Sequence, residues 1–459
     1  MENKPLFQKT QTPPPTFEKT LLAGGGLAKK FLYTDSVKKA QDYWQMLGPG
    51  LTTGAADDDP SGIATYSQTG SQYGFSLLWL AAFTFPLMAV VQEMCARIGL
   101  VTGRGLAGNI KRHYSKKVLY TVTALLFFAN TFNIGADLGA MAKATQLLLP
   151  NFSFTLLIFF FAFLSLVLQI FTSYKDYAKY LKWLALVLLS YVLTAFFVHI
   201  KAADVLRYAF WPHLDFSKEQ IFLICGILGT TISPYLFFWQ TSQEVEEQIL
   251  EGKTSIKLRA SETTPQEIKK MRVDIWSGMF FSNLAMFFII LTCGAVLFTH
   301  GIVNIQTAAQ AAAALRPLAG NYAFLLFAVG IIGVGMLGVP VLAGSASYAL
   351  SESFGWKQGL YRKLQQAYNF YGVIFVAMIL GLILNFVGLD PIKALIYSAV
   401  LNGLVAPVIL VLIVQMSDNK KIMSSHKNNP VLSALGWITA GLMIIVAVAT
   451  IASLIVPGA

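Results

Sequence analysis

The residues able to do chemistry gather at one point of an otherwise apolar chain. The stretch "GAADDDPSGIAT", residues 54–65, sets Asp57, Asp58 and Asp59 directly before Pro60-Ser61-Gly62. Proline lacks the backbone donor a helix interior needs, so a helix entering this stretch is interrupted. An interruption leaves backbone carbonyls without their usual partners, and inside a bilayer these need a cation, a water or another donor. A carboxylate at the same place completes a site for a hard cation, and a carboxylate at membrane depth marks function by default. A second interruption falls in "LGTTISPYLFF", around Ser233-Pro234. The candidate ligands are the Asp59 side chain, the Ala56 carbonyl one turn earlier, the Thr230 carbonyl and the hydroxyls of Thr231 and Ser233. All are oxygen, which suits Mg²⁺, Ca²⁺ or Mn²⁺ better than softer transition metals. Mg²⁺ sheds water reluctantly, so a partly hydrated ion fits such a site. Successive helical residues point about 100° apart, so three consecutive acids cannot all face one ion. Asp59, at the break, is the expected direct ligand. Asp57 and Asp58 are expected beyond it or along the access path.

The elements that hold these residues read as membrane helices. The 459 residues are 55% hydrophobic and 12% charged, about half the charged fraction of a soluble domain. Apolar runs of about 20 residues recur along the chain, as in an all-α polytopic membrane protein. Eleven spans fit between residues 46 and 456, the first over roughly 46–68 and the sixth over roughly 219–242. The net charge of +11 is arranged by topology. Basic residues crowd the loops after even-numbered spans, for example Lys111, Arg112, Lys116 and Lys117, or Lys269, Lys270 and Arg272. The loop after span five, with Lys201, Arg207 and Lys218, is the exception among the odd ones. The basic N-terminal segment shares the side of the even loops. The positive-inside rule then puts the N-terminus in the cytoplasm and the C-terminus outside, in a plasma or inner membrane. Charge used in this way does not point to nucleic acid. The expected partners are the lipid bilayer and the cation, and nothing in the sequence sets an oligomeric state. Cys95, Cys225 and Cys293 lie in apolar runs without paired spacing and read as small buried residues.

Residues 1–45 read as a cytoplasmic disordered tail, and 46–456 as one membrane transport domain. The domain divides into a first repeat at about 46–199, a second at about 219–415 and an extra helix at about 432–456. Both interruptions then fall in the first helix of their repeat. Five spans per repeat is an odd number, so the repeats lie in opposite orientations. Interrupted helices at matching positions of inverted repeats are the mark of a secondary transporter with a midplane site. The hydrophilic stretch over about 245–272 reads as a helical or loose loop, and "TAAQAAAALRPLAG" as a short external helix. Glu93 and Arg97, spaced i,i+4, read as a mutually neutralising pair. Gln68, Gln240 and Glu244 read as path-lining or helix-packing polar groups, and "YLFFW" over 235–239 as lipid or core packing.

The stretch "GPGLTTGAADDDPSGIATYSQTGSQYGFSLLW" and "GTTISPYLFFWQ", supported by "RIGLVTGRGLAG" and "GVPVLAGSASYAL", resembles the Nramp divalent-metal transporters in a divergent branch. It is also similar to the Nramp-related magnesium transporters. The resemblance covers nearly all eleven spans. It implies a leucine-transporter-like 5+5 inverted repeat with helices 1 and 6 broken, working by alternating access. The family's Asp-Pro-Gly-Asn becomes Asp59-Pro60-Ser61-Gly62, so the aspartate stays while Gly62 stands where the asparagine ligand would be. Met-Pro-His becomes Ser233-Pro234-Tyr235, which replaces the thioether by a hydroxyl. The tenth-helix glutamine aligns with Ala399, with Asn402 a turn on. Of the family's proton route, Asp137 remains, while Ala140 and Tyr235 replace the glutamate and the histidine.

The sequence therefore predicts an importer of divalent cations, Mg²⁺ and Mn²⁺ favoured, weakly or not coupled to protons. The cation is substrate and no cofactor is expected. One alternative is a proton-coupled Mn²⁺/Fe²⁺ transporter. Another is a sodium-coupled amino-acid or solute symporter, against which three acids at the first break argue. No nucleophile, base and orienting group converge in the sequence, so catalysis is not expected.

Overall fold

The computed structural model describes residues 43, 47–172, 188–198, 200–261 and 263–455. Apart from Tyr43, the tail expected over 1–45 lies outside the described residues. The chain divides into two units, Met1–Gly48 and Pro49–Ala459, and the second carries everything below.

Among the described residues the structure is helical throughout, without strands. The principal helices are α1 (Pro49–Asp57), α2 (Pro60–Tyr73), α3 (Trp79–Thr102), α4 (Leu106–His113), α5 (Lys116–Leu148), α6 (Phe154–Phe171), α7 (Leu189–Phe197) and α8 (Ala202–Phe210). They are followed by α9 (Lys218–Thr231), α10 (Pro234–Leu250), α11 (Pro265–Val296), α12 (Ala308–Ala312), α13 (Ala323–Phe354), α14 (Tyr368–Leu384), α15 (Pro391–Asp418) and α16 (Pro430–Ile455). Eight helical segments are long and apolar enough to cross a membrane, α9 with α10 and α12 through α13 each counting as one; α14 is a shorter apolar helix. Of the expected fifth span, at 180–199, residues 188–198 are described and carry α7, and the rest lies outside the described residues.

Local sequence explains where these helices begin. Proline opens α2, α10, α11 and α15, where its missing donor costs nothing. The Asp390 carboxylate accepts from Ile392 N (3.0 Å) and Lys393 N (3.1 Å) at the start of α15. Thr264 and Glu267 form a capping box at the start of α11. The hydrophilic stretch expected over 245–272 is consequently shorter: α10 runs on to Leu250 and α11 resumes at Pro265. The first apolar span also runs further than 68. Residues 69–73 are polar, yet α2 continues through them because Ser71 donates to the Ile302 carbonyl and Gln68 grips the same connection. The predicted helix in "TAAQAAAALRPLAG" is α12 followed by short helical turns, with a Thr307–Gln310 capping box.

Small residues set the closest helix crossings. A Cβ on Gly54 of α1 would lie 2.3 Å from the Gly278 carbonyl oxygen of α11. One on Gly229 of α9 would lie 2.0 Å from the Ala399 carbonyl oxygen of α15. Backbone packed against backbone in this way gives dispersion contact without a hydrophobic driving force from lipid. Asp274 of α11 also caps α1, accepting from Gly50 N (2.6 Å) and Leu51 N (3.1 Å). Glu352 at the end of α13 does the same for α4, accepting from Gly105 N (2.9 Å) and Gly108 N (2.8 Å). This accounts for Gly105 and Gly108 of "RIGLVTGRGLAG", while Gly99 packs on the Thr241 carbonyl and Gly103 takes φ 62° against Arg259.

The buried Glu93 of α3 keeps the expected ion pair with Arg97, but its hydrogen bonds come from another helix. Its Oε1 accepts from Arg272 Nε (3.0 Å) and NH2 (2.8 Å) of α11, and its Oε2 from Trp276 Nε1 (2.9 Å). Arg97 is 3.9 Å away and donates to Asn428 instead. A guanidinium on a neighbouring helix can meet a carboxylate with two donors, which an i,i+4 pair on one helix reaches less readily. The three cysteines are buried and unpaired. The run Tyr235–Trp239 is core, each side chain at most 1% exposed.

Two stability outcomes follow. Gly229→Val should cost at least about 1–3 kcal/mol through overlap with α15, read as a lower thermal midpoint in detergent. Arg272→Met should cost about 1–3 kcal/mol, between a surface pair and a buried one, while Lys270→Met should leave the midpoint nearly unchanged.

Candidate functional site

Asp59 lies between α1 and α2 in extended backbone, φ −65° and ψ 172°. It is the N-cap of α2, because an acceptor side chain there satisfies donors that the first turn leaves open. Asp59 Oδ1 accepts from Gly62 N (2.9 Å) and Ser61 Oγ (2.6 Å). Asp59 Oδ2 accepts from Asn133 Nδ2 of α5 (2.9 Å), and the Tyr235 hydroxyl of α10 is 3.5 Å away. The same hydroxyl donates to the Ala56 carbonyl at 3.0 Å. Asp59, Ala56 and Tyr235 thus form one buried cluster joining the α1–α2 junction to α10.

Asp57 and Asp58 face elsewhere, towards α11. Ser282 Oγ donates to Asp57 Oδ2 (2.5 Å) and lies 3.4 Å from Asp58 Oδ1. No described residue donates to Asp57 Oδ1. The split follows from the break itself, since α1 ends at Asp57 and Asp59 turns into extended backbone to cap α2. Gly62 contributes no side chain; a Cβ there would lie 3.4 Å from both the Asp57 carbonyl oxygen and the Tyr66 ring.

The second junction is polar and mostly self-satisfied. Ser233 is extended, φ −82° and ψ 132°, and its hydroxyl donates to Gly229 O (2.8 Å) and to the Thr230 carbonyl. Thr231 Oγ1 donates to Ile227 O at 2.9 Å. Thr230 Oγ1 reaches across to the Tyr66 hydroxyl of α2 at 3.1 Å. The two junctions therefore communicate through Tyr235 and Tyr66. No hydrogen bond joins Thr231 or Ser233 to Asp59.

The remaining residues singled out in the sequence are scattered around this cluster. Asp137 is fully buried on α5, and neither carboxylate oxygen receives a hydrogen bond from a described residue. Asn402 of α15 is fully buried with both amide atoms unpartnered among the described residues. Gln68 is tied to the α11–α12 connection, donating to Val303 O (3.2 Å) and accepting from Ile305 N (2.9 Å). Gln240 joins Thr53 of α1 to Glu244. Beside Gln68 a cavity of ≈ 20 Å³, lined by Ile63, Ser67, Ala140 and Ile305, has room for about one water molecule. Among the described residues no group of three His, Cys, Asp or Glu side chains converges as a metal cage. Any cation held here would rely on mixed side-chain and backbone oxygens.

Sequence reasoning missed Asn133 and Ser282. Asn133 carried a signal: Asn130, Asn133 and Asp137 repeat at i, i+3 and i+7 on one face of an apolar helix. Ser282 carried none.

Comparison with known proteins agrees with this architecture. The family model described as natural resistance-associated macrophage protein-like, Nramp, matches residues 50–453. The divalent metal cation transporter MntH of Klebsiella pneumoniae is 26% identical over 405 residues, covering 87% of this chain and 92% of its own. The MntH protein of Aeromonas hydrophila is 25% identical over 416 residues, covering 87% and 93%. The crystal structure of the Eremococcus coleocola manganese transporter, in complex with an aromatic bis-isothiourea compound, superposes with a TM-score of 0.68 at 17% identity, covering 96% of this chain and 88% of that one. At that identity the likeness speaks for the fold. With the family model spanning nearly the whole membrane domain, the chain belongs to the Nramp family, membrane transporters of metal ions and not enzymes.

Proposed function

We propose that the chain imports divalent metal cations by alternating access, with Asp59 as the charged ligand and Mg²⁺ and Mn²⁺ as preferred substrates. The observation that carries this reading is the buried Asp59 carboxylate at the α1–α2 junction, joined to the Ala56 carbonyl through the Tyr235 hydroxyl, which lies 3.5 Å from Asp59 Oδ2 and 3.0 Å from the Ala56 oxygen. The ligand set proposed is Asp59, the Ala56 carbonyl and the oxygens of Thr230, Thr231 and Ser233, with Gly62 leaving room beside them. Tyr235, Asp137 and Asn402 border the ion, Asp57 and Asp58 lie on its path, and Gln68 closes the far end of α2. The hydroxyls of Thr231 and Ser233 turn from their own helix to the ion when it binds. Oxygen donors without a soft partner support hard cations, and the likeness to a divalent metal cation transporter and to a manganese transporter supports divalent metals, manganese among them.

The chain in this reading makes eleven spans in a leucine-transporter-like 5+5 inverted arrangement. α1 with α2, and α9 with α10, are its broken first and sixth helices. The repeats cover about 46–199 and about 219–415, followed by the extra helix at 432–456. The N-terminus and the segment 1–45 are cytoplasmic and the C-terminus is outside, as the distribution of basic loops supports. The grip of Gln68 on residues 303–305 is then an external closure. Proton coupling is weak or absent, because Ala140 and Tyr235 occupy positions where a relay would need titratable groups.

Uptake into proteoliposomes, scanned over Mg²⁺, Mn²⁺, Ca²⁺, Fe²⁺ and Cd²⁺, tests the proposal. Asp59→Ala should reduce uptake of every transported ion by more than about tenfold, the scale of losing one charged partner; unchanged uptake removes the site. A pH-sensitive dye trapped in the same vesicles should stay constant during Mn²⁺ entry. Acidification in step with uptake would instead establish the proton-coupled alternative.

A further inference from the structure

We propose that Asn133 of α5 supplies an oxygen ligand to the transported cation, through its side-chain carbonyl. The inference rests on the assignment of Asp59 to the ion made above.

Asn133 is fully buried in the middle of a 33-residue helix. Its Nδ2 donates to Asp59 Oδ2 at 2.9 Å. An ionised carboxylate only accepts, so this bond fixes which end of the planar amide faces Asp59. Asn133 Oδ1 is then held close to the carboxylate, and no described residue donates to it. Asn130, Gln169, Gln248 and Asn283 also donate through nitrogen and leave the oxygen without a donor among the described residues, but the bare oxygen of Asn133 is the one held beside the Asp59 carboxylate. Here one end orients Asp59 and the other end presents a bare acceptor.

The surroundings extend the pattern. Asp137, one turn further along the same face, has two acceptor oxygens with no donor among the described residues. Gly338 of α13 adjoins both acids: a Cβ there would lie 3.1 Å from the Asp59 Cβ and 3.9 Å from Asp137 Oδ2. The absence of a side chain at 338 lets α13 approach these groups closely. Asp59 and Asp137 both border Gly338, and Asn133 Oδ1 lies beside Asp59, so acceptors exceed donors in this neighbourhood. Water can donate to such oxygens, but a hard cation also offsets the charge of the carboxylates. The Asn133 carbonyl adds a ligand without adding charge, which suits a site that must also release its ion.

The test compares uptake by the full chain in proteoliposomes, with Mg²⁺, Mn²⁺ and Cd²⁺ each supplied alone. Asn133→Ala should raise KM for Mg²⁺ and Mn²⁺ by about tenfold. Asn133→Cys exchanges a hard donor for a soft one. It should raise the preference for Cd²⁺ over Mg²⁺ by about tenfold relative to Asn133→Ala. If Asn133 only orients Asp59, the Ala and Cys variants shift all three ions by a common factor and the inference falls. Asn133→Ser keeps an oxygen close by and should hold KM for Mg²⁺ within about threefold of the native protein. A Ser variant as impaired as Ala also counts against ligation, and it carries the test if the Ala variant does not fold. Asp59→Ala run in parallel separates the two claims. Uptake surviving without Asp59 removes the site as a whole. Uptake lost without Asp59, together with an unchanged Cd²⁺ to Mg²⁺ ratio in Asn133→Cys, removes Asn133 alone.

Discussion

The structure turns on a buried carboxylate that does the work of a helix cap. Asp59 closes the first turn of α2 through Gly62 N and Ser61 Oγ, and by the other oxygen takes the amide of Asn133. Desolvating a carboxylate is costly unless hydrogen bonds replace its water. Here the helix terminus, a serine, an asparagine and a tyrosine do so. The packing of α1 on α11, of α9 on α15 and of α5 on α13 brings those donors and their neighbours to one place. The glycines at these crossings, Gly54, Gly229 and Gly338, are what allow the approach.

The division of labour among the three acids follows from the same geometry. Asp59 leaves the helical path and turns to α5 and α10. Asp57, the last residue of α1, and Asp58 just after it turn to Ser282 of α11. One short acidic run therefore marks two faces of a single helix end. Tyr235 and Tyr66 then bridge the two junctions, so a hydroxyl network joins them where the sequence suggests direct contact between the hydroxyls of the second junction and Asp59. That network couples α1, α2, α9 and α10 through bonds a few ångströms long, the kind of contact whose rearrangement accompanies alternating access.

Much of this was legible in the sequence because the signals are local. Pro60 and Pro234 mark where new helices start, and Asp59 and Ser233 precede them as caps do. What was not legible depends on contacts between distant segments. Glu93 has Arg97 one turn away, yet its two donors come from Arg272 and Trp276, some 180 residues on. Ser282 looks like any small polar residue until α11 packs on α1. Asn133 falls between: its spacing from Asn130 and Asp137 is visible in the sequence, but only the fold shows that the stripe faces Asp59. The polar end of α2 likewise defeats a hydropathy reading, because Gly70 packs on α11 and Ser71 donates to the Ile302 carbonyl.

The central claim is that one cation sits between the α1–α2 junction, α5 and α10. The most direct measurement is the anomalous scattering of Mn²⁺ in crystals of the protein grown or soaked with the metal. The account predicts a single strong peak within coordinating distance of Asp59 and the Ala56 carbonyl, bordered by Asn133 and Tyr235. A peak centred between Asp57, Asp58 and Ser282, with none at Asp59, would contradict it.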